Sequence, residues 1–296
     1  MALLDDLPSL PCLVRVGQSG RAKLAVWAAG RLLEAGQSLD ALLALPVDEF
    51  RDAVEHALTE LDPEGCELLA PVESQEVWAS GVTYQRSREA RMEESADADV
   101  YERVYSAERP ELFFKSAGWR VVPPGGEIGV RPDSSWDVPE PELAVLSNSR
   151  GEVVAYSCGN DMSSRSIEGE NPLYLPQAKV YDRSCSIGPA AVLAWAVDVD
   201  SAPISMRISR LGASVFEGAA RLSDMVRRPS ELVSVLHSCY PLPTGSWLLT
   251  GTSVVPPLPY TARPGDEVSI SIDGLGTLVN RVVMVPHSGA SARPAL

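Results

Sequence analysis

The feature that most constrains the fold is a long succession of short apolar segments, each closed by glycine or proline. The chain of 296 residues contains 22 Gly and 24 Pro, and both residue types interrupt helices and end strands. We predict strands at 76–82, 111–115, 119–122, 141–147, 152–158, 190–197, 203–209, 213–217, 246–250, 267–272 and 276–284. Short apolar runs bounded in this way, with few helical patterns between them, predict a β-rich α+β body.

Helical patterns are few. Ser38 is placed to cap a short helix, and residues 47–61 carry apolar side chains at helical spacing. The charged stretch 85–107 predicts a helix with one solvated face, and residues 229–238 follow a Pro-Ser start signal. These segments predict helices that interrupt the strands without forming a layer of comparable size.

The chain divides into three regions by its pattern of predicted elements and its composition. Strands at 11–16 and 22–28, joined by the turn GQSG, open a predicted small N-terminal α+β domain of residues 1–70. Residues 71–287 hold most of the predicted strands and form the main body. The last nine residues, 288–296 (SGASARPAL), predict a disordered tail.

The charge balance excludes two classes of partner. Forty acidic residues against 25 basic residues give a formal net charge of −15, whereas nucleic acid and anionic membranes select basic surfaces. The N-terminus is acidic where a signal peptide is basic, and apolar runs such as AAVLAWAV are too short for a membrane span. Five cysteines without a C-x-x-C pair disfavour a disulfide framework and a zinc site. We therefore expect a soluble, cytoplasmic protein.

Lysine is scarce. Lys23, Lys115 and Lys179 are the only lysines among the 25 basic residues. A compact ammonium with a tunable pKa does chemistry that a guanidinium does not, although each lysine is also compatible with a plain surface position. Lys179 lies in the segment 163–188, which is polar, punctuated by Gly and Pro, and too long for a simple connection. This segment predicts a functional loop.

Three carboxylates are placed to converge. Glu140 and Glu142 stand two apart ahead of an apolar strand, so they share one face. Asp161 follows the next predicted strand, and a hairpin between the two strands returns it close to Glu140. Such a cluster needs a compensating cation, and all-oxygen ligands suit Mg²⁺, Mn²⁺ or Ca²⁺. Solvated glutamates on an edge strand, which the flanking prolines favour, are the alternative.

Other common kinds of active site have little support. The three histidines are His56, His237 and His287, two on predicted helices and one near the tail, so Ser-His-Asp and Cys-His catalysis are disfavoured. No G-x-G-x-x-G follows a predicted strand, and no Walker loop is present. The usual nucleotide-binding sites are therefore not expected.

Seven segments, in order, resemble the fumarylacetoacetate hydrolase superfamily: GVTY (81–84), PELFFK (110–115), VPEPEL (138–143), GNDMSSRSIEGENPLYLPQAK (159–179), IGP (187–189), LLTGTS (248–253) and GDEVSISIDGLGTLVNRV (265–282). Within the superfamily, GVTYQRSREAR and SIEGENPLYLPQAK are most similar to the branch that contains 2-keto-3-deoxy-D-arabinonate dehydratase. The resemblance implies a mixed β-roll or β-sandwich body behind a small N-terminal domain. It also implies a homodimer or homotetramer.

The resemblance implies roles for five residues. Glu140, Glu142 and Asp161 match the ligands of a divalent metal, usually Mg²⁺, with Mn²⁺ or Ca²⁺ as alternatives. Lys179 matches the active-site lysine, and Glu111 matches a catalytic carboxylate of the dehydratase branch. These residues are expected to act on a small 2-oxo acid substrate.

Two further matches and one departure concern specificity. Ser116 and Thr252 fall in segments that line the substrate pocket in relatives. Hydrolases of the superfamily carry a histidine and a glutamate after the GVTY-like segment, and here these positions hold Ser87 and Ala90. Glu89 alone does not replace an imidazole as a general base at neutral pH. Hydrolysis of a diketone is therefore disfavoured.

The expected function is metal-dependent dehydration of a 2-keto-3-deoxy sugar acid to 2-oxoglutarate semialdehyde. The alternative is an acylpyruvate or fumarylacetoacetate-type hydrolase, or a 2-oxo acid decarboxylase, with a water activated through Glu89 or Glu168. A metal-binding scaffold without activity is a third possibility. We further expect replacement of Lys179 by methionine to abolish turnover and to leave metal affinity nearly intact.

Overall fold

The computed structural model describes residues 7–57, 59–85, 104–105 and 107–285. Within them, one large mixed sheet is formed by β1 (Cys12–Gln18), β2 (Arg21–Ala28), β3 (Arg31–Glu34), β4 (Thr59–Glu60), β5 (Glu67–Leu69), β6 (Glu76–Gly81), β7 (Glu111–Ala117), β10 (Pro141–Ser147), β11 (Val153–Asp161), β13 (Cys185–Leu193) and β16 (Ser246–Leu249). The order across the sheet is β4-β3-β2-β1-β13-β11-β10-β16-β6-β7, and β5 pairs with β1.

A second sheet has the order β15-β14-β17-β18-β8. Its strands are β8 (Glu127–Val130), β14 (Pro203–Arg210), β15 (Ala213–Arg221), β17 (Glu267–Ile272) and β18 (Gly276–Met284). A short ladder pairs β9 (Asp137–Val138) with β12 (Ser163–Ser164).

Five short helices complete the described part of the chain: α1 (Leu39–Leu43), α2 (Val47–Glu55), α3 (Arg165–Glu170), α4 (Leu175–Lys179) and α5 (Pro229–Cys239). None of these helices is long and apolar enough to cross a membrane.

Strand β10 shows how the core is layered. Its side chains alternate between two faces, and every residue of the strand is buried. Leu143 and Val145 join the apolar cluster shared with the five-stranded sheet. Ala144 and Leu146 face the other way, into the cluster that α1 and α2 cover. The large sheet is therefore the middle layer of a sandwich, and the predicted β-rich α+β fold class is confirmed.

The N-terminal strands extend the large sheet. Strand β1 pairs antiparallel with β13, with Cys12 opposite Val192, and β2 pairs with β1 as the predicted hairpin requires. The Ser38 hydroxyl accepts a hydrogen bond from the Ala41 amide at 3.2 Å, so Ser38 caps α1. The boundary between residues 1–70 and 71–287 stays a prediction.

Two observed elements differ from those predicted, because pairing with distant parts of the chain overrides the local sequence pattern. The helix expected over 47–61 ends at Glu55, since Thr59–Glu60 pairs with β3 instead. The strand expected over 119–122 is replaced by a 3-10 turn at Gly118–Arg120.

Other predicted elements are shifted along the chain or lie outside the described residues. The strand predicted at 190–197 covers Cys185–Leu193, and a 3-10 turn follows it at Ala194–Ala196. The predicted helix 85–107 falls almost wholly, and the predicted tail 288–296 entirely, outside the described residues.

Asp137 in β9 gives a pH-dependent stability prediction. The residue is only 4% exposed, and burial raises the pKa of its carboxyl to about 6. The folded state therefore holds this proton more tightly than the unfolded chain does, so the stability due to Asp137 is lost as the pH rises from about 4 through about 6. We expect Asp137→Asn to gain stability over the wild type across this window, by up to about 3 kcal/mol at pH 7. Urea unfolding of both proteins at pH 4.5 and pH 7.5 checks this, and an equal difference at both pH values contradicts it.

Candidate active site

The β10–β11 hairpin brings the three predicted carboxylates together. Glu142 lies opposite Gly159 in the ladder, and the Asp161 amide donates to the Glu140 carbonyl at 3.0 Å. One ligand oxygen from each of Glu140, Glu142 and Asp161 lies within 4.8 Å of the others, and all three residues are buried. The convergence predicted from the spacing is therefore present.

The edge-strand alternative for these glutamates is wrong. Strand β10 lies inside the large sheet, between β11 and β16. Glu140 and Glu142 are each only 2% exposed. Burial of carboxylates without compensating charge is costly, so solvation cannot account for this cluster.

Lys179 supplies part of the compensating charge. It ends α4, inside the segment that we predicted to be a functional loop, and that segment contains both α3 and α4. Its ammonium donates to Glu140 Oε2 at 2.7 Å, to Asp161 Oδ2 at 3.0 Å and to Ser163 Oγ at 2.6 Å. Lys179 is itself 2% exposed. The predicted lysine thus lies directly on two of the predicted metal ligands.

Two further cations contact the cluster, and sequence reasoning assigned neither a role. The Lys115 ammonium lies 2.5 Å from Asp161 Oδ1. The Arg165 guanidinium lies 2.7 Å from Glu140 Oε1 and also donates to Glu168 Oε2 at 3.1 Å. A signal for Lys115 existed in the sequence, because it is one of only three lysines and lies in a segment that resembles the family. Arg165 carried no comparable signal among 22 arginines.

Glu142 is the least compensated ligand. The Gly251 amide donates to its Oε2 at 2.6 Å. Burial raises the pKa of Glu142 well above its ordinary value, and the neighbouring Asp161 and Glu140 carboxylates raise it further. The Lys179 ammonium and the Gly251 hydrogen bond act in the opposite direction. A cation at this position would relieve the like-charge repulsion.

The donor set fits a hard divalent cation. Three carboxylates offer only oxygen ligands, which suit Mg²⁺, Mn²⁺ or Ca²⁺ and not zinc. The described residues include no histidine or cysteine in this cluster. Glu140, Glu142 and Asp161 can therefore hold such an ion.

A cavity opens on the carboxylate cluster. Strand β7 lines it through Glu111 and Phe113, and Glu168 and Lys179 line it from the helical segment. The Phe113 ring centroid lies 5.9 Å from Lys179 Nζ. Thr252 also lines this cavity. A substrate seated here would touch the cluster, two further carboxylates and an ammonium.

Ser116 is not brought to this cavity. It follows Lys115 on β7, after a register shift in the pairing of β7 with β6. Its hydroxyl donates to the Ala117 carbonyl at 3.0 Å, and it is absent from the described residues that line the cavity. The geometry gives no support to a substrate-binding role for Ser116. The positions of Ser87, Glu89 and Ala90 lie outside the described residues.

Gly81 makes room for the Glu111 carboxylate. A Cβ at Gly81 would lie 2.0 Å from Glu111 Oε2, so alanine there forces the carboxylate to move. The displaced group is the end of a flexible side chain, and the Gly81 backbone is in an ordinary strand conformation, so the fold tolerates the change. If Glu111 is the catalytic carboxylate that the resemblance implies, Gly81→Ala should lower kcat at least about 10-fold, since misplacing a proton-transfer group is costly. The melting temperature should stay within about 3 °C.

Kinetics and thermal unfolding of Gly81→Ala, beside Gly17→Ala as a control, measure these effects. Gly17 also lies in a strand, and a Cβ there meets only Leu69 carbon atoms at ordinary distances of 3.6 Å and more. A Gly81→Ala enzyme with full activity would show that the exact position of Glu111 does not matter.

Two packed sheets, with three clustered carboxylates at a cavity between the large sheet and the segment that holds α3 and α4, define a β-rich protein with a candidate divalent-cation centre. Residues 76–283 match the family described as fumarylacetoacetate (FAA) hydrolase C-terminal. The chain belongs to this family, and the resemblance seen in the sequence is confirmed.

Two relatives are similar over most of the chain. A probable 2-keto-3-deoxyxylonate dehydratase of Haloferax volcanii is 50% identical over 244 residues, which are 82% of this chain and 82% of the relative. A 2-dehydro-3-deoxy-D-arabinonate dehydratase of Saccharolobus solfataricus is 41% identical over 220 residues, covering 73% of this chain and 74% of the relative.

A solved structure shares the fold. It is a 2-keto-3-deoxy-D-arabinonate dehydratase complexed with magnesium and 2,5-dioxopentanoate, and it is 31% identical to this chain. The TM-score is 0.82, and the alignment covers 92% of this chain and 98% of the solved one.

Proposed function

We propose that the protein is a divalent-metal-dependent hydro-lyase that converts a 2-keto-3-deoxy pentonate to 2-oxoglutarate semialdehyde and water. The observation that carries this proposal is the buried cluster of Glu140, Glu142 and Asp161 with Lys179 directly on it and Glu111 in the same cavity. The similarity to two dehydratases of such sugar acids supports the choice of substrate class.

The cluster would hold Mg²⁺, with Mn²⁺ or Ca²⁺ as substitutes. When bound, such an ion acts as a Lewis acid on the C1 carboxylate and C2 ketone of a 2-oxo acid and so makes a C3 proton removable. The magnesium in the similar dehydratase structure supports this choice of metal. The negative charge of Glu140, Glu142 and Asp161 would bind the ion, and the Gly251 amide would keep Glu142 in place.

Lys179 and Glu111 are the proton-transfer groups. Dehydration breaks the C3–H bond and the C4–O bond, so one group must accept a proton at C3 and one must deliver a proton to the departing C4 hydroxyl. The two side chains line the same cavity from α4 and from β7. Tautomerisation of the resulting 5-hydroxy enone then yields the C5 aldehyde. Thr252 lines the cavity, which supports its proposed role as a substrate-binding residue.

A substrate panel tests the proposal. The purified protein with Mg²⁺ is assayed against 2-keto-3-deoxy-arabinonate and 2-keto-3-deoxy-xylonate, and separately against oxaloacetate and acylpyruvates. We expect water loss from a sugar acid, with kcat/KM at least about 100-fold above that for the other substrates. Preferred cleavage of an acylpyruvate or decarboxylation of oxaloacetate would support the alternative, with a water activated through Glu168 or Glu89. No turnover of any 2-oxo acid would support an inactive scaffold.

The assembly and the place of action are proposals of the same kind. A homodimer or homotetramer is proposed from the family resemblance, and a cytoplasmic enzyme from the composition. Sedimentation of the purified protein measures the first.

A further inference from the structure

Lys115 is buried at the centre of the site, yet it does not line the cavity. It is 0% exposed and lies on β7, four residues after Glu111, where a register shift interrupts the pairing of β7 with β6. Its ammonium lies 2.5 Å from Asp161 Oδ1 and donates to the Met162 carbonyl at 3.0 Å and to the Lys179 carbonyl at 2.6 Å. Its hydrogen bonds go to these two backbone carbonyls, and its contact with Asp161 Oδ1 is an ion pair.

The acceptors of Lys115 and Lys179 are of different kinds. The three Lys179 acceptors described above are side-chain atoms of Glu140, Asp161 and Ser163. The two hydrogen bonds of Lys115 described above both go to backbone carbonyls, and its one carboxylate contact, with Asp161 Oδ1, is an ion pair. Lys115 is therefore tied to the framework of the fold, whereas Lys179 is held by the same carboxylate oxygens that a cation would need.

Asp161 is shared between the two lysines, one on each oxygen. Lys115 holds Oδ1 and Lys179 holds Oδ2. Lys115 also fixes the main chain at the last residue of α4, because the Lys179 carbonyl accepts from both the Lys115 ammonium and the Ser184 hydroxyl. If Lys179 moves off Oδ2 toward a substrate, Asp161 still keeps one partner and the backbone of Lys179 stays in place.

We propose that Lys115 is a positioning residue that holds Asp161 in the ligand cluster and anchors the backbone of Lys179, so that the Lys179 ammonium can leave the carboxylates for a cation and substrate. This inference rests on the metal site proposed above and not on the identity of the sugar acid. Partners behind a metal ligand orient it, and their loss costs about 10–100-fold in metal affinity or activity.

The decisive measurement is Mn²⁺ binding to the metal-free protein, followed by electron paramagnetic resonance, for Lys115→Met and Lys179→Met. Both changes remove one positive charge from the same carboxylate. If charge alone mattered, both variants would bind Mn²⁺ more tightly. We expect Lys179→Met to bind it more tightly and Lys115→Met to bind it about 10-fold or more weakly. In addition, Lys115→Met should lower kcat at saturating metal and leave KM within about 3-fold, since Lys115 is not among the described residues that line the cavity.

Lys23→Met is the matched control, because Lys23 lies on β2 and contacts only Glu34 at 3.5 Å among the described acids. Lys115→Gln, which keeps a donor for the carbonyls, serves if Lys115→Met does not fold. Tighter or unchanged Mn²⁺ binding by a folded Lys115 variant would overturn the inference. Failure of both Lys115 variants to fold would also overturn it, since Lys115 would then hold the fold and not the site. A wild-type protein that binds no Mn²⁺ would instead refute the proposed metal site.

Discussion

Replacing Lys179 with methionine is expected to lower kcat by at least about 10³-fold, because the variant loses the proton-transfer group that we propose and methionine cannot replace it. The same variant should bind Mg²⁺ or Mn²⁺ more tightly than the wild type. The Lys179 ammonium lies 2.7 Å from Glu140 Oε2 and 3.0 Å from Asp161 Oδ2, so it competes with a cation for these oxygens. Methionine has a similar length and no charge, and it removes this competition.

From the sequence alone we expected this variant to keep its metal affinity nearly intact. The structure changes that expectation to a gain in metal affinity. The sequence-based expectation treated Lys179 as a neighbour of the metal. The distances place it on the ligands themselves, so a change that spares the metal site is no longer expected.

Titration calorimetry with Mg²⁺ and steady-state kinetics with a 2-keto-3-deoxy sugar acid measure the two effects, with Lys23→Met as the control. Residual turnover above about one per cent of the wild-type rate would remove Lys179 from the chemistry. Weaker metal binding would show that the ammonium does not compete with the cation.

The triad was predictable because its geometry is local. The i, i+2 spacing of Glu140 and Glu142 and one short hairpin place Asp161 beside them, whatever the rest of the chain does. The position of β10 in the sheet was not predictable in this way. Its second neighbour is β16, about 100 residues later in the chain, and the Pro-rich flanks favoured an edge. Pairings between distant segments decide which strand is central, and single-sequence patterns do not contain them.

The cations around the triad were harder to predict for the same reason. Lys115 reaches Asp161 from a strand that is not its sheet neighbour, and Arg165 reaches Glu140 from a helix inside a segment that has the composition of a loop. The role of Ser116 stays a prediction. It belongs to a matching segment, but it is not among the described residues that line the cavity, and a register shift between β6 and β7 interrupts strand alternation just before it. A resemblance identifies the strand, but a sequence pattern does not reveal such a shift.

Glu142→Gln is expected to separate stability from function. Glutamine keeps the size of the side chain and an oxygen for the Gly251 amide, but it removes a charge that burial, Asp161 and Glu140 all disfavour. The metal-free variant should therefore melt about 2–4 °C above the metal-free wild type, which corresponds to roughly 1 kcal/mol. Its affinity for Mg²⁺ should fall about 100-fold, because a carboxylate ligand is lost, and turnover should fall with it.

Thermal unfolding with EDTA and with excess Mg²⁺ reads both effects in one experiment. The wild type should be the less stable protein in EDTA and the more stable one in Mg²⁺, since only its folded state binds the ion tightly. Glu67→Gln, an exposed glutamate on β5, controls for the loss of one negative charge and should show the wild-type response to Mg²⁺. If Glu142→Gln is destabilised in EDTA, or is stabilised by Mg²⁺ as strongly as the wild type, then repulsion within the triad is not what the cation relieves. The order of the two melting temperatures thus decides whether these buried carboxylates are kept for the fold or, at a cost in stability, for the metal.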